Sequence, residues 1–371
     1  MNYKINIKKC INIFIYNNNR YLIIIKLFCC IFYILLILIL NTFYIKNNKK
    51  IGIIGLPHHQ NIGNILLKYS MFITLSNMGF EPYIIGKHFK KDNITILKKL
   101  VNLRIISNFS EIKEKDYNIL VVNSDQTWRK WNKDFYDIAF LKFAKKWRIH
   151  KFVYATSIGF NKWKFNKTDE NIAKKLLKNF SGISVREKGL STLIKKHLGI
   201  KAYYVLDPTL LIDKKYYLKI IEKYRYFPNL NENFILTYKI KHIKVKKKMN
   251  SFINKAKKEL NIKIYNVDRH ENQYIEKFIY RINNCKAVIT DSYHGTVFSI
   301  IFNKPFITFK RKNDERLKSL SDLLEIKNRI IDYEEKPDLS LLIKPLYINK
   351  LKLNKMKLKS LDFIKKNIVL K

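Results

Sequence analysis

The sequence has few cysteines and few acidic residues, and both shortages exclude classes of protein. Its four cysteines are Cys10, Cys29, Cys30 and Cys285, and no two of them form a C-x-x-C pair. A disulfide framework and a zinc site are therefore not expected, and the reduced surroundings of the cytoplasm fit best. Acidic residues number 29 against 73 lysines and arginines, which gives a formal net charge of 73 − 29 = +44.

This positive charge does not identify a partner by itself. The lysines are spread over the whole chain and interleaved with Ile, Asn and Tyr, all residues of AT-rich codons. Compositional drift explains that pattern, and attraction to anionic lipid or to an anionic substrate is the second interpretation. No basic helix with base-reading residues, zinc finger or RNA-binding aromatic motif is visible, so we expect no nucleic acid partner.

Residues 1–50 form a basic tail that contains a hydrophobic segment. The apolar run begins with LFCCIFYILLILIL at Leu27, and its nineteen residues (27–45) are long enough to span a bilayer. Lysines flank both ends, so the orientation stays open, and no small-residue cleavage site follows. Three interpretations remain: an anchor to the inner face of the membrane, a helix packed on the protein, and a non-functional extension from an upstream start codon.

From Ile51 onward, short β-branched runs alternate with helical patterns, which predicts an α/β fold with mainly parallel sheets. The alternation breaks around residues 224–233. We therefore expect two Rossmann-like domains, at 51–228 and 229–345, followed by a basic helix at 346–371. This is the architecture of B-type glycosyltransferases, here with an N-terminal hydrophobic helix. A cleft between two such domains suits group transfer, with an anionic donor on one side and an acceptor on the other.

Polar residues follow several of the predicted strands. The strand Ala287 to Thr290 leads into Asp291-Ser292, which we expect to cap a helix from Gly295 to Phe302. His294 lies at that turn, where a helix N-terminus favours an anion and a histidine can deliver a proton. The alternative interpretation of His294 is a histidine within a polar helix cap.

Two loops of the first domain also follow directly after predicted strands. After the strand Asn118 to Val122 comes NSDQTWRKW, in which Asp125 and Gln126 suit sugar hydroxyls and the aromatic rings suit sugar faces. The alternative there is a capped helix start with aromatic packing. After the strand Ile51 to Gly55 comes a loop with Asn61, and a helix is expected from about Ile65. The glycines of that loop match neither G-x-G-x-x-G nor a Walker loop, so no nucleotide fingerprint is present.

Five segments in this order and spacing resemble the polysaccharide pyruvyl transferase family: SDQTW, YATSIG, SVREKG, VLDPTLL and ITDSYHGTVFSIIFNKPF. The resemblance covers roughly residues 51–330, and D-S-Y-H-G-T-x-F-S is its most specific part. It implies a B-type glycosyltransferase-like fold. It also implies transfer of pyruvate from phosphoenolpyruvate to two sugar hydroxyls as a cyclic ketal, with no metal in the site and no other cofactor.

The resemblance also implies roles for individual residues. His294 falls on the family's histidine, a general acid, and Arg186 falls on the arginine of S-V-R-E, whose alternative interpretation is a surface ion pair. The donor side is expected to include Ser292, Gly295, Thr296, Lys310 and Arg316. The acceptor side is expected to include Asp125, Gln126 and Asn61. The first loop reads HHQNIGN where many relatives have an N-Y-G-A-type turn, so the acceptor side differs from theirs.

The expected partners are phosphoenolpyruvate, a glycan or lipid-linked saccharide, and a membrane surface. The expected location is the cytoplasm, with residues 27–45 as the membrane anchor on one interpretation. Two other functions stay open at this point. One is a glycosyltransferase that uses a nucleotide sugar in the same cleft, and the other is a non-catalytic glycan-binding relative.

Overall fold

A computed structural model describes residues 49–56, 62–87, 98–129, 134–222, 233–240, 243–268, 275–332 and 334–368. The predicted hydrophobic helix in residues 27–45 and the predicted site residue Asn61 lie outside these ranges. Within them, no helix is both long enough and apolar enough to cross a bilayer.

Two parallel sheets organise the described chain. The first contains β1 to β7, and the second contains β8 to β12. The strands are β1 (Lys50–Ile54), β2 (Glu81–Gly86), β3 (Leu103–Ile105), β4 (Ile119–Val122), β5 (His150–Thr156), β6 (Gly182–Val185), β7 (Tyr203–Tyr204), β8 (Phe234–Lys239), β9 (Lys263–Asp268), β10 (Ala287–Thr290), β11 (Phe306–Phe309) and β12 (Ile330–Ile331).

Helices connect most of these strands. They are α1 (Ile62–Asn77), α2 (Phe135–Phe140), α3 (Lys167–Leu177), α4 (Lys188–Leu198), α5 (Lys214–Glu222), α6 (Ile243–Glu259), α7 (Ile275–Asn284), α8 (Tyr293–Ile301), α9 (Glu315–Leu324) and α10 (Lys350–Ile368). This alternation confirms the predicted α/β class with two Rossmann-like sheets.

The order of strands fixes where a ligand can bind. The first sheet runs β3-β2-β1-β4-β5-β6-β7 and the second runs β12-β11-β10-β8-β9, with every neighbouring pair parallel. The direction of winding reverses between β1 and β4 in the first sheet and between β8 and β10 in the second. In open α/β sheets, ligands bind outside the carboxyl ends of the strands at such reversals. The loops after β1, β4, β8 and β10 are therefore the relevant ones.

Apolar packing joins the elements of the two sheets. Tyr217 of α5 meets Phe298 of α8 edge to face, with ring centroids 5.0 Å apart. The Tyr217 hydroxyl shares a hydrogen bond of 2.7 Å with Ser70 of α1. One continuous group of buried apolar side chains includes Ile51 from β1 and Val288 from β10. The two sheets thus share part of their core.

The C-terminal helix α10 packs on the first sheet, although it follows the second in sequence. The Phe363 ring lies 6.4 Å from that of Phe152 and 6.3 Å from that of Tyr154, centroid to centroid. The Leu206 amide donates to the Ser360 hydroxyl at 2.9 Å. These contacts fix one face of α10 against β5 and the segment after β7.

Two helix starts differ from the sequence predictions. Helix α8 begins at Tyr293, not Gly295, because the backbone is extended only as far as Ser292, so His294 lies in the first helical turn. The Ser292 hydroxyl makes no capping bond, and Asp291 instead accepts the Ile240 amide at 2.6 Å, which links the ends of β10 and β8. Helix α1 begins at Ile62, so Gly63 is helical.

Candidate functional site

Arg186 lies at the carboxyl end of β6 and is buried, which excludes the surface ion pair considered for it. Its Nη1 donates to Asp207 Oδ2 at 2.8 Å, and its Nη2 donates to Asp125 Oδ1 at 3.0 Å. Its guanidinium lies 4.9 Å from the centre of the Tyr293 ring. Burial lowers the pKa of Arg186, but the two carboxylates outweigh burial and raise it. Arg186 is therefore a permanently charged group inside the protein.

The backbone at Asp125 is strained, with φ of 92° at a residue that has a side chain. This geometry brings its carboxylate between Arg186 and Asn64, whose Nδ2 donates to Oδ2 at 3.1 Å. Burial raises the pKa of Asp125, but Arg186 and then His294 lower it by more. Both oxygens of Asp125 are thus engaged, and its contacts orient Arg186. Acceptor binding by Asp125 stays a prediction.

His294 is buried at the second position of α8, directly against the backbone of α1. A Cβ atom added to Gly63 would lie 2.1 Å from His294 Nδ1, so only glycine fits there. Nε2 has no hydrogen-bond partner among the described residues. Burial lowers the pKa of His294 to about 4. Asp207 and Asp125 act to raise this pKa, and Arg186 and Arg316 act to lower it further. The imidazole is therefore neutral at pH 7.

Further arginines surround this histidine. Arg316 makes a two-point contact with Asp314 (Nε–Oδ1 3.0 Å and Nη2–Oδ2 2.6 Å). Its guanidinium lies 5.5 Å from the Tyr293 ring centre, so this ring contacts both Arg186 and Arg316. Burial, followed by the charge of Arg316, lowers the pKa values of Arg129 and Arg311. These four arginines form a cationic cluster beside His294.

Buried polar atoms without a partner concentrate here. Ten such side-chain atoms exist among the described residues, and nine of them belong to the strand ends, loops and first helical turns around Arg186 and His294. Buried polar groups are normally hydrogen-bonded, so this concentration is typical of a site that binds a polar ligand. The residues concerned are Asn64, Asn123, Trp128, Arg186, Glu187, Ser292, His294 and Arg311.

The structure brings His294, Arg186, Arg316 and Asp125 together, but it gives other predicted residues different contacts. Lys310 pairs with Asp332 at 3.0 Å, outside the arginine cluster. The Oε1 atom of Gln126 accepts a bond of 3.1 Å from Arg129. Their binding roles stay predictions.

The helix start supports the site chiefly through packing. A Cβ on Gly295 would lie 2.2 Å from Thr290 Oγ1, so glycine allows α8 to approach β10 closely. The amide and hydroxyl of Thr296 both donate to the Ser292 carbonyl at 3.0 Å, and the hydroxyl also pairs with Thr308. The Ser292 hydroxyl is buried without a partner in the described part of the chain. Donor binding by these three residues is still a prediction.

Sequence reasoning missed several members of the site. Asp207 lies within VLDPTLL, Arg129 within SDQTWRKW, and Arg311 next to Lys310, yet none was assigned a role. Lys68 is buried on α1, and its Nζ donates to the Leu56 carbonyl at 2.5 Å. Burial lowers the pKa of Lys68 to about 7 against the opposing charge of Asp125. Lys68 stands inside the apolar run ILLKYSMF, and this position could have indicated from the sequence that the lysine is buried.

Aromatic side chains in this region serve the core. Trp128 is fully buried and packs edge to face on Phe140 at 5.4 Å, so it offers no surface for a sugar ring. The aromatic-packing interpretation of this residue is therefore correct. Within the described ranges, no group of three or more His, Cys, Asp or Glu side chains could hold a metal ion.

Comparison with known proteins identifies the family. Residues 61–313 match the family model described as polysaccharide pyruvyl transferase, which is more than half of the chain. A comparison with curated protein sequences finds no significant match.

Solved structures of low sequence identity align with most of the chain. The UDP-GlcNAc 2-epimerase of Methanocaldococcus jannaschii has a TM-score of 0.48 at 16% identity, with 84% of this chain and 92% of that chain covered. The enzyme of the same name from Neisseria meningitidis, bound to UDP-GlcNAc, has a TM-score of 0.49 at 10% identity, with 86% and 93% covered. UGT89C1 of Arabidopsis thaliana, complexed with UDP-L-rhamnose, has a TM-score of 0.48 at 9% identity, with 87% and 100% covered. None reaches 0.5, so no functional conclusion follows from them.

Substituting Gly63 tests the contact between α1 and His294. Glycine at the second position of a helix normally gains stability on replacement by alanine. Here the new methyl group would collide with the imidazole, so we expect Gly63→Ala to lower the free energy of unfolding by about 1–3 kcal/mol in urea titrations. The control is Gly189→Ala at the second position of α4, where the nearest atom lies 3.6 Å from the added Cβ. Equal stability of the two variants would contradict the contact.

The protonation state of His294 can be measured directly. Nuclear magnetic resonance of ring-labelled histidine should show one imidazole that titrates near pH 4, and this signal should be missing from His294→Gln. The unfolded chain binds this proton below about pH 6.5 and the folded chain only near pH 4. The group therefore reduces stability progressively as the pH falls through that interval. A His294 signal that titrates near pH 6.5 would show that the site is open to water.

Proposed function

Since the chain belongs to the polysaccharide pyruvyl transferase family, we propose that it transfers pyruvate from phosphoenolpyruvate to two hydroxyls of a glycan as a ketal. The carrying observation is the buried, neutral His294 beside Arg186 and Arg316. His294 follows β10, and the Gly63 backbone against it follows β1, so the histidine lies where both sheets reverse their winding. This arrangement combines a group that can give and take a proton with cations for an anionic donor. The acceptor is a cell-surface glycan or its lipid-linked precursor.

The reaction needs one proton at carbon. His294, once protonated, gives its proton to the methylene carbon of phosphoenolpyruvate, and C2 becomes electrophilic. A first glycan hydroxyl forms a C–O bond to C2, and the bond from C2 to the phosphate oxygen breaks. A second hydroxyl then closes the ketal. Of the two hydroxyl protons released, one restores the imidazolium and the other leaves with phosphate, so the reaction balances without a further reactant.

The arginine cluster supplies charges for the donor. Phosphoenolpyruvate carries a phosphate and a carboxylate, and guanidinium groups suit both because they offer paired donors. The carboxylates of Asp125 and Asp207 already balance Arg186, and that of Asp314 balances Arg316. The lowered pKa values of Arg311 and Arg129 reflect burial and repulsion from Arg316, which a bound anion relieves. We therefore assign the donor phosphate to the side of Arg311 and Arg129.

The donor itself prepares the histidine for catalysis. In the free protein the pKa of His294 is about 4, too low for a proton donor at neutral pH. The negative charges of the donor, bound among the arginines, oppose the charges that hold this pKa down and raise it. When phosphoenolpyruvate binds, the His294 imidazole therefore takes up a proton from solvent. It then transfers this proton to the methylene carbon of the donor. The imidazole acquires its acidic form only when there is a substrate to protonate.

Turnover assays test the proposed reaction. Incubation with phosphoenolpyruvate and a panel of oligosaccharides and lipid-linked saccharides should release phosphate and add the mass of a pyruvate ketal to one acceptor. His294→Gln should lower kcat by about 10²–10⁴-fold, the usual contribution of general acid catalysis. The control is His197→Gln, which removes a histidine that pairs with Glu170 away from the site. Turnover of a sugar nucleotide without use of phosphoenolpyruvate would overturn the proposal.

Proton uptake tests the coupling between donor and histidine. Calorimetric titration with phosphoenolpyruvate at pH 6, in buffers of different ionisation enthalpy, should reveal uptake of about one proton per site, because the pKa of His294 rises from about 4. In His294→Gln the uptake should disappear while the donor still binds. Uptake that persists in this variant would assign the proton to another group.

A further inference from the structure

Exposed apolar side chains concentrate at the C-terminal end of the chain. Six large hydrophobic residues are well exposed within the described ranges, and four of them lie between residues 343 and 358. We call these four the C-terminal apolar surface. They are Ile343, Tyr347, Leu351 and Leu358, with exposed fractions of 67%, 81%, 80% and 69%. Scattered exposed leucines need no explanation, but such a concentration marks an interaction surface.

The helix that carries this surface is held in place from its other side. Met356, Phe363 and Ile364 are buried, and Phe363 packs on the aromatic residues of β5. Leu351 and Leu358 are separated by two helical turns, so they share the face that points away from this core. Helix α10 therefore presents a fixed apolar face outward.

Lysines without a carboxylate partner surround the apolar surface. Lys352, Lys357 and Lys366 form ion pairs with Glu325, Asp213 and Asp362. The others in this stretch are exposed and have no ion pair with any residue that the structure describes, namely Lys344, Lys350, Lys355, Lys359 and Lys365. The surface thus combines leucines with uncompensated positive charge.

We propose that the C-terminal apolar surface binds an anionic lipid bilayer. Leucine, isoleucine and tyrosine side chains enter the boundary between headgroups and acyl chains, while the lysines extend to anionic headgroups. A second copy of the same surface would bring like charges together. A nucleic acid would satisfy the lysines but leave the aliphatic side chains exposed. The bilayer matches both components, and it would hold the enzyme next to a lipid-linked acceptor.

Vesicle flotation with the full chain tests this proposal. We expect stronger binding to vesicles of phosphatidylcholine with phosphatidylglycerol than to phosphatidylcholine alone. Leu351→Asn with Leu358→Asn should lower the partition coefficient for anionic vesicles about tenfold or more. The matched control is Ile105→Asn, an exposed aliphatic residue outside the surface, which should bind as the unchanged protein does. Urea unfolding should show that both variants still fold, with a loss of only about 1 kcal/mol from the lower helix and strand propensities of asparagine.

A second pair of variants separates the local surface from the overall charge. Lys355→Gln with Lys359→Gln should weaken binding to anionic vesicles about 30-fold, since each lysine near a membrane contributes about 1 kcal/mol. Lys162→Gln with Lys175→Gln removes the same charge elsewhere and should have little effect.

Several outcomes would overturn the proposal. Equal losses in both lysine pairs would make net charge the cause, and unchanged binding of the leucine variant would exclude the surface. Leucine variants that alter only the sedimentation coefficient or oligonucleotide binding would instead assign the surface to a second copy or to nucleic acid. Residues 27–45 are common to all variants, so a difference between variants is not caused by them.

Discussion

The burial of Arg186 is the constraint on which the site depends. A guanidinium stays ionised inside a protein and needs a buried counter-charge, which Asp125 and Asp207 supply together here. Removing one partner of a buried ion pair typically costs about 3–5 kcal/mol, because a charge is left without compensation. The strained backbone of Asp125 persists because this interaction holds it. Strand β5 is irregular at the same place: Ala155 has a φ of 52°, and Thr156 forms an isolated bridge with Asp125.

Around this fixed charge the protein keeps its histidine neutral and its remaining arginines under mutual repulsion. Such an arrangement is unfavourable for the folded protein alone, as the nine unpartnered polar atoms also indicate. Residues of a functional site commonly lower the free energy of unfolding in this way. The apolar core that the two sheets share compensates for this loss of stability. Burial of this region thus has two effects: it lowers the pKa of His294, and it keeps the positively charged arginines close together.

Local patterns predicted the strands well: the β-branched run AVIT gives β10 with the bounds observed, and the strands predicted from Ile51 and Asn118 match β1 and β4 within one residue. Helix starts were less predictable. The first turn of α8 depends on the backbone of Ser292, and no residue type fixes that angle. His294 was predicted from its place at a helix start, Arg186 from the family resemblance, and Arg316 only as a residue of the donor side. The neutral state of His294 could not be predicted, since it depends first on its burial in the fold and then on charges from distant segments. The need for glycine at position 63 could not be predicted either, because it arises from contact with the imidazole of His294, far along the chain.

The position of α10 has a consequence for synthesis. This helix follows every other described element in the chain, yet it covers the face of the first sheet formed by Phe152 and Tyr154. On the ribosome, the first sheet is therefore made early and must wait for the last helix before that face is sealed. Domains usually fold in order of emergence. Here the earliest part of the fold is completed last, and its aromatic face stays uncovered until α10 has been synthesised.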